Sequence, residues 1–255
     1  MSGRGDREAR REGRLREDGQ AGAAERRRRL IKLGSAAGFL ALVVLAVVVV
    51  VSQTQTSGGD ASNVAGTQAV DQLLDGIPQD GMTLGKPSAK VTLLEFGDLQ
   101  CPVCKGYSEE VLPAVIEGQV RNGEAKIDFR NFTIIGPEST PAGAAAIAAG
   151  KQGRGWSFVE LFYRNQGVEE SGYVTDAFLT AIAKGAGVPD IAQWNADRRS
   201  KQVLSEVAAT TTEAERLGFN GTPSFALEGP GASGKESIGT PESVDDLEAA
   251  ISGAE

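Results

Sequence analysis

The chain has 255 residues, enough for one large domain or two small ones, and its composition is globular, with 33 glycines and few aromatics. Its net charge of −8 is unevenly spread: residues 1–32 hold ten Arg and one Lys against six acids, a net of +5, leaving 15 basic and 28 acidic residues, a net of −13, downstream. With no histidine and only two cysteines, the sequence excludes a Ser-His-Asp triad and leaves an intrachain zinc site short of its usual four ligands.

The basic head interleaves acids with its arginines and stands directly before an apolar run, so it reads as a solvated topology signal and not as a nucleic-acid patch. That run, residues 33–52, LGSAAGFLALVVLAVVVVVS, is uncharged over about twenty residues, the length a helix needs to cross roughly 30 Å of hydrocarbon. The sequence therefore predicts a single transmembrane helix, with Arg26, Arg27, Arg28, Arg29 and Lys32 holding the N-terminus in the cytoplasm and the rest of the chain outside the cell membrane. A cleaved signal peptide would carry a shorter apolar core and a small-residue cleavage site, and SQTQTSGG offers none of the A-x-A kind. Arg27-Arg28-Arg29 also resembles a twin-arginine export signal, though so apolar a span favours a retained anchor.

Residues 53–67 are rich in Ser, Thr, Gln and Gly without an apolar period and read as a flexible linker, which places one folded domain at 68–255. Residues 89–96, AKVTLLEF, form a short β-rich apolar run bounded by Gly and Pro and predict a buried strand. Cys104, Tyr107, Val111, Leu112 and Val115 then fall on one helix face, and 125–134 alternates like a second strand, completing a βαβ unit. Helical patterns follow at 141–150, 156–165, 176–185 and 191–217, a helical insertion spanning about 137–217. Trp156, Phe158 and Phe162 lie at helical spacing and read as core. Residues 224–227 and 237–238 are strand-like, and a closing helix is expected from Pro241 to about Ile251 with Thr240 as its N-cap. Between those strands, GPGASGKE has the glycine and lysine spacing of a phosphate loop, but Glu236 stands where Ser or Thr is needed, so a hairpin loop is the better reading.

The two cysteines sit in CPVC, between the end of the first strand and the start of a helix. Pro102 suits the first helical position, so the Cys101 sulfur would face free backbone N-H groups and the positive end of the helix dipole, both of which favour the nucleophilic thiolate. Cys104, one turn on and on the buried face, would be shielded and placed to resolve a mixed disulfide formed at Cys101. A purely structural disulfide here closes a very short loop, where chain-entropy stabilisation is least, so redox chemistry is favoured. Glu95 shares a strand face with Val91 and Leu93, and if that face is buried its carboxyl would be desolvated and able to exchange a proton with Cys104.

The run VTLLEFGDLQCPVC, the GTPSF at 221–225 and the helical block between them resemble the DsbA-like thioredoxin family of thiol-disulfide oxidoreductases, in its membrane-anchored bacterial form. The resemblance implies an α/β thioredoxin fold with a helical insertion. It implies Cys101 as nucleophile, Cys104 as resolving cysteine, and Pro223 as a cis-proline, with Thr222 presenting backbone to a bound peptide. It places Glu95 where the superfamily often keeps a buried acid, whereas Asp98 matches a frequent family acid with no role beyond local structure. The implied clients are exported cysteine-containing proteins and the implied reoxidant is a quinone-linked membrane partner, with no cofactor and no metal. One departure stands out. The dipeptide between the cysteines is Pro102-Val103, where the best-known members have a histidine, and valine cannot donate to a thiolate. A disulfide-forming oxidase is the favoured activity; a reductase or isomerase, or a binding or chaperone domain with a structural disulfide, are the alternatives.

Overall fold

The computed structural model describes residues 64–255, so the cytoplasmic tail expected at 1–32, the membrane helix expected at 33–52 and most of the linker expected at 53–67 lie outside the described residues. Among the described residues no helix is long and apolar enough to cross a membrane. The amide of Ala65 donates to Asn165 Oδ1 at 2.9 Å and its carbonyl accepts from Asn165 Nδ2 at 3.0 Å, pinning the stretch ahead of helix α1 (Thr67–Leu74).

Strands β1 (Gln79–Asp80) and β2 (Thr83–Leu84) make a short hairpin, and β3 (Val91–Gly97) follows. The continuous apolar character of β3 is explained by its place: it is the inner strand, with parallel β4 (Ala125–Asn131) on one edge and antiparallel β5 (Ser224–Glu228) on the other. Strand β6 (Glu236–Gly239) closes the sheet, in the order β1-β2-β4-β3-β5-β6. Val91 and Leu93 enter the main core, whereas Leu94 and Phe96 enter a smaller cluster on the opposite face with Phe132, Ala214 and Ala226. Loop 229–235, which mimics a phosphate motif in sequence, is the β5-β6 hairpin connection.

The crossover from β3 to β4 is a broken helix. Helix α2 (Pro102–Glu110) stops before α3 (Leu112–Val115), whose Pro113 has no N-H to continue the ladder, and a π-helical turn (Ile116–Val120) follows. The insertion carries α4 (Ser139–Gly150), α5 (Gly155–Arg164), α6 (Asp176–Gly185), α7 (Ile191–Asp197) and α8 (Lys201–Arg216). Helix α4 is buried almost all round, which its alanines allow: a Cβ on Gly143 would meet Asn131 Oδ1 at 2.6 Å. The aromatics of α5 are core, as their spacing predicts, and Trp156 Nε1 donates to the Met82 carbonyl at 2.7 Å.

Two sequence readings are corrected. The helix expected over 191–217 is two helices, because Ser200 leaves the helical path to accept from the Val203 amide at 3.3 Å and cap α8. The closing helix α9 (Val244–Gly253) is capped by Ser243, which accepts from Asp246 N at 3.2 Å. Thr240 and Pro241 lie before it, and the Thr240 hydroxyl donates instead to the Pro223 carbonyl at 2.6 Å.

Candidate active site

The C-terminal end of β3 delivers the chain into a tight loop, 98–100, that is held from all sides. Asp98 Oδ1 accepts from Gln100 N at 2.9 Å, and Asp98 Oδ2 accepts from Ile134 N at 2.8 Å and Ile135 N at 3.0 Å. Asp98 is therefore a structural clamp, as the sequence reading has it. Gln100 is completely buried, donating to Ser139 Oγ at 3.0 Å and accepting from Glu170 N at 3.0 Å. Gln166 Nε2 donates to the carbonyls of Leu99 and Cys101 at 2.7 and 3.0 Å. These bonds fix the point from which the helix carrying both cysteines departs.

Cys101 is the N-cap of α2 and Pro102 its first helical residue, as predicted. The Cys104 amide donates to the Cys101 sulfur at 3.4 Å, and the Cys101 thiol points at the Thr222 carbonyl, also at 3.4 Å. The Cys104 thiol, as a donor to the Cys101 sulfur, pulls the Cys101 pKa down most; Thr222 and the amides of Cys104 and Val103 act the same way against desolvation, leaving it at about 6. Burial pushes Cys104 well above the ordinary thiol range. The two thiols have thus been driven in opposite directions by one short helix turn. Val103 points outward, 61% exposed, and contributes only its backbone N-H, so the missing histidine is replaced by peptide and thiol donors.

Opposite Cys101, the Thr222-Pro223 bond is cis. Ser224 Oγ donates to the Gly221 carbonyl at 2.7 Å, and the Thr240 bond to Pro223 tethers the same turn to β6. Thr222 Oγ1 is buried without a hydrogen-bond partner and close enough to the Cys101 sulfur to favour its thiolate.

Beneath the cysteines, Glu95 is buried on the core face of β3, paired in register with Phe129 and Phe225, and neither carboxyl oxygen has a hydrogen-bond partner. Burial, and secondly the charge of Glu160, raise its pKa to about 8. The structure brings Cys101, Cys104, Pro102, Thr222, Pro223 and Glu95 to one end of the sheet. Sequence reasoning missed Gln100, Gln166, Glu160 and Ser108, and gave Thr240 to the wrong element. Glu160 and Ser108 were detectable: Glu160 is four residues from Trp156 on an apolar helix face, and Ser108 four residues from Cys104.

A thioredoxin sheet with a Cys-x-x-Cys turn at a helix start, facing a cis-proline turn, defines the class of thiol-disulfide oxidoreductases. The family model described as Thioredoxin matches residues 78–252, and the chain belongs to that family. Within it the chain is a DsbA-like thiol-disulfide oxidoreductase. It is 33% identical over 151 residues to a probable disulfide bond formation protein D of Bacillus cereus, covering 58% of this chain and 69% of that protein. It is 28% identical to a thioredoxin-like oxidoreductase from Silicibacter pomeroyi, with a TM-score of 0.54 over 71% of this chain and 95% of that one. Oxidised BdbD from Bacillus subtilis shares the fold, with a TM-score of 0.59 at 24% identity over 69% of this chain and 95% of that one.

Proposed function

We propose that this chain is a membrane-tethered oxidase that forms disulfides in exported proteins, with Cys101 and Cys104 as its redox pair. The single observation that carries the reading is the split between the two thiols: a Cys101 sulfur favoured as thiolate at the helix start, above a Cys104 favoured as thiol. A client thiolate attacks Cys101 Sγ of the Cys101-Cys104 disulfide, the S-S bond breaks, and Cys104 leaves and takes up a proton. The client's second thiolate then attacks its own sulfur in the mixed disulfide and Cys101 leaves as a stable thiolate. The client loses two electrons and the pair gains them.

Stabilising the leaving thiolate stabilises the reduced enzyme, which is what makes such a pair oxidising. A Cys101 thiol drawn well below the ordinary thiol range, to about 6, favours an oxidising pair. The Thr222 backbone, with Pro223 following, would pair with the client in β fashion, and Glu95 would exchange the Cys104 proton. The anchor at 33–52, the extracytoplasmic placement and a quinone-linked membrane reoxidant complete the proposal and rest on sequence and resemblance.

Trapping tests it. In cells a Cys104→Ala chain should accumulate mixed disulfides through Cys101 with exported proteins, and the native chain should rest mainly oxidised. No adducts would refute the enzyme assignment to this pair, and a fully reduced resting Cys101 would reverse the direction.

A further inference from the structure

A second buried carboxyl, on α5, has no place in the mechanism above; its helix packs at the level of Glu95, with the rings of Trp156 and Tyr163 edge-on at 6.4 Å to Phe129, the register partner of Glu95. Glu160 is fully buried on α5; its Oε1 accepts from Ser108 Oγ at 3.0 Å, while Oε2 has no hydrogen-bond partner and lies 3.8 Å from the Arg164 guanidinium. Ser108 stands one turn beyond Cys104 on the buried face of α2, so that helix presents Cys104 toward Glu95 and Ser108 to Glu160.

We propose that Glu160 is a positioning residue of the exchange reaction, its carboxylate reinforcing burial in keeping Glu95 protonated so that Glu95 can hand that proton to Cys104 as it leaves. The inference rests on the reading of Glu95 as the proton partner of Cys104. In the step, the Cys101-Cys104 bond breaks, its electrons stay on the Cys104 sulfur, and the O-H bond of Glu95 is exchanged for an S-H bond on Cys104. Glu95 is left ionised and recovers its proton from solvent before the next turnover.

Several features support Glu160 as the ionised partner of the two. Glu95 has no donor to stabilise a negative charge, whereas Glu160 has the Ser108 hydroxyl and the Arg164 cation. Like charges in one low-dielectric interior cannot both ionise cheaply, so the proton resides on the acid without donors. Burial raises both carboxyls, but only at Glu160 do a hydroxyl, Ser108, and a cation, Arg164, oppose that rise. The other groups facing Glu95 are Cys104 and Tyr107 from α2 and Tyr163 from α5, and both tyrosines are held neutral well above their ordinary range, chiefly by burial.

The test is Glu160→Gln, which keeps an acceptor for Ser108, in the full chain. Carboxyl 13C NMR on the disulfide form, in which neither cysteine titrates, should show the Glu95 midpoint falling by roughly a unit from about 8. The rate of reaction with a reduced dithiol peptide, expressed per peptide thiolate, should lose its low-pH plateau at correspondingly lower pH. Ser108→Ala, which removes only a donor to Glu160, should shift both the same way by less and serves if Glu160→Gln does not fold. An unmoved Glu95 midpoint, or a moved midpoint with an unmoved rate profile, overturns the proposal. Glu95→Gln separates the two readings: a wild-type rate there overturns the Glu95 role and this proposal with it, whereas a slowed rate with an unmoved midpoint in Glu160→Gln overturns only the role of Glu160.

Discussion

At Cys101 the chemistry depends on few atoms. Its sulfur accepts from the Cys104 thiol first and from the amides of Cys104 and Val103, so thiolate absorbance should titrate near pH 6, with Cys104 silent until far higher pH. Cys104→Ala should move that midpoint upward, since the Cys104 thiol is the largest stabiliser of the anion. Glu95 makes the opposite kind of statement. Its folded value is raised from 4.5 to about 8, so folding is unpenalised below the unfolded value and loses stability as pH climbs from about 4.5 toward 8. Glu95→Gln should therefore leave stability nearly unchanged at pH 4.5 and raise it by about 3 kcal/mol at pH 7, read as a shift of the urea midpoint at constant slope. Slower exchange accompanied by a more stable protein would mark Glu95 as a residue kept for function at the expense of the fold.

The elements around the site are joined by side chains that replace missing backbone partners. Asp98 alone satisfies three amides, two of them just beyond β4, where the sheet ladder has ended. Asp98→Ala leaves those donors stranded and should cost about 3 kcal/mol in denaturant unfolding, with Asp98→Asn losing less because one oxygen remains. Gln100 bridges Ser139 at the start of α4 and Glu170, a residue at φ 56 whose left-handed backbone is secured by that bond. The insertion is thus bolted to the cysteine loop, and its α5 supplies Glu160, Tyr163 and, just beyond its end, Gln166.

For the whole molecule, location and redox direction belong together. A thiol pair that oxidises clients is useful where thiols are not continually reduced, outside the cytoplasm. Fractionation checks the tether: the full chain should resist carbonate extraction from membranes, a chain lacking residues 33–52 should not, and both should exchange thiols equally in solution. Release of the full chain by carbonate would mean the apolar run is removed or does not anchor.

The cysteine spacing, the strand before it and the Thr-Pro turn were legible because each is local: a helix start, an apolar run and a dipeptide need no distant partner to be recognised. The sequence also determined that a histidine-dependent nucleophile could not be built within the chain, and it disfavoured a zinc centre by supplying only two Cys and no His ligands. Periodicity located the insertion helices but ran 191–217 together, because the cap that Ser200 offers differs from a helix-interior serine only by where the neighbouring chain goes. Thr240 shows the same limit: it has the signature of an N-cap, and its hydroxyl was taken by the Pro223 carbonyl 17 residues away. Burial of Glu95 could be stated only as a condition, since an acid at a strand end is solvated or desolvated according to what packs over it. Only the tertiary structure decided that Glu95 is sealed from solvent and that α5 brings a second acid into the same interior. It also decided how Cys101 is stabilised without a histidine, because the thiol and amide donors of its own helix turn are joined there by the Thr222 side chain from a distant segment.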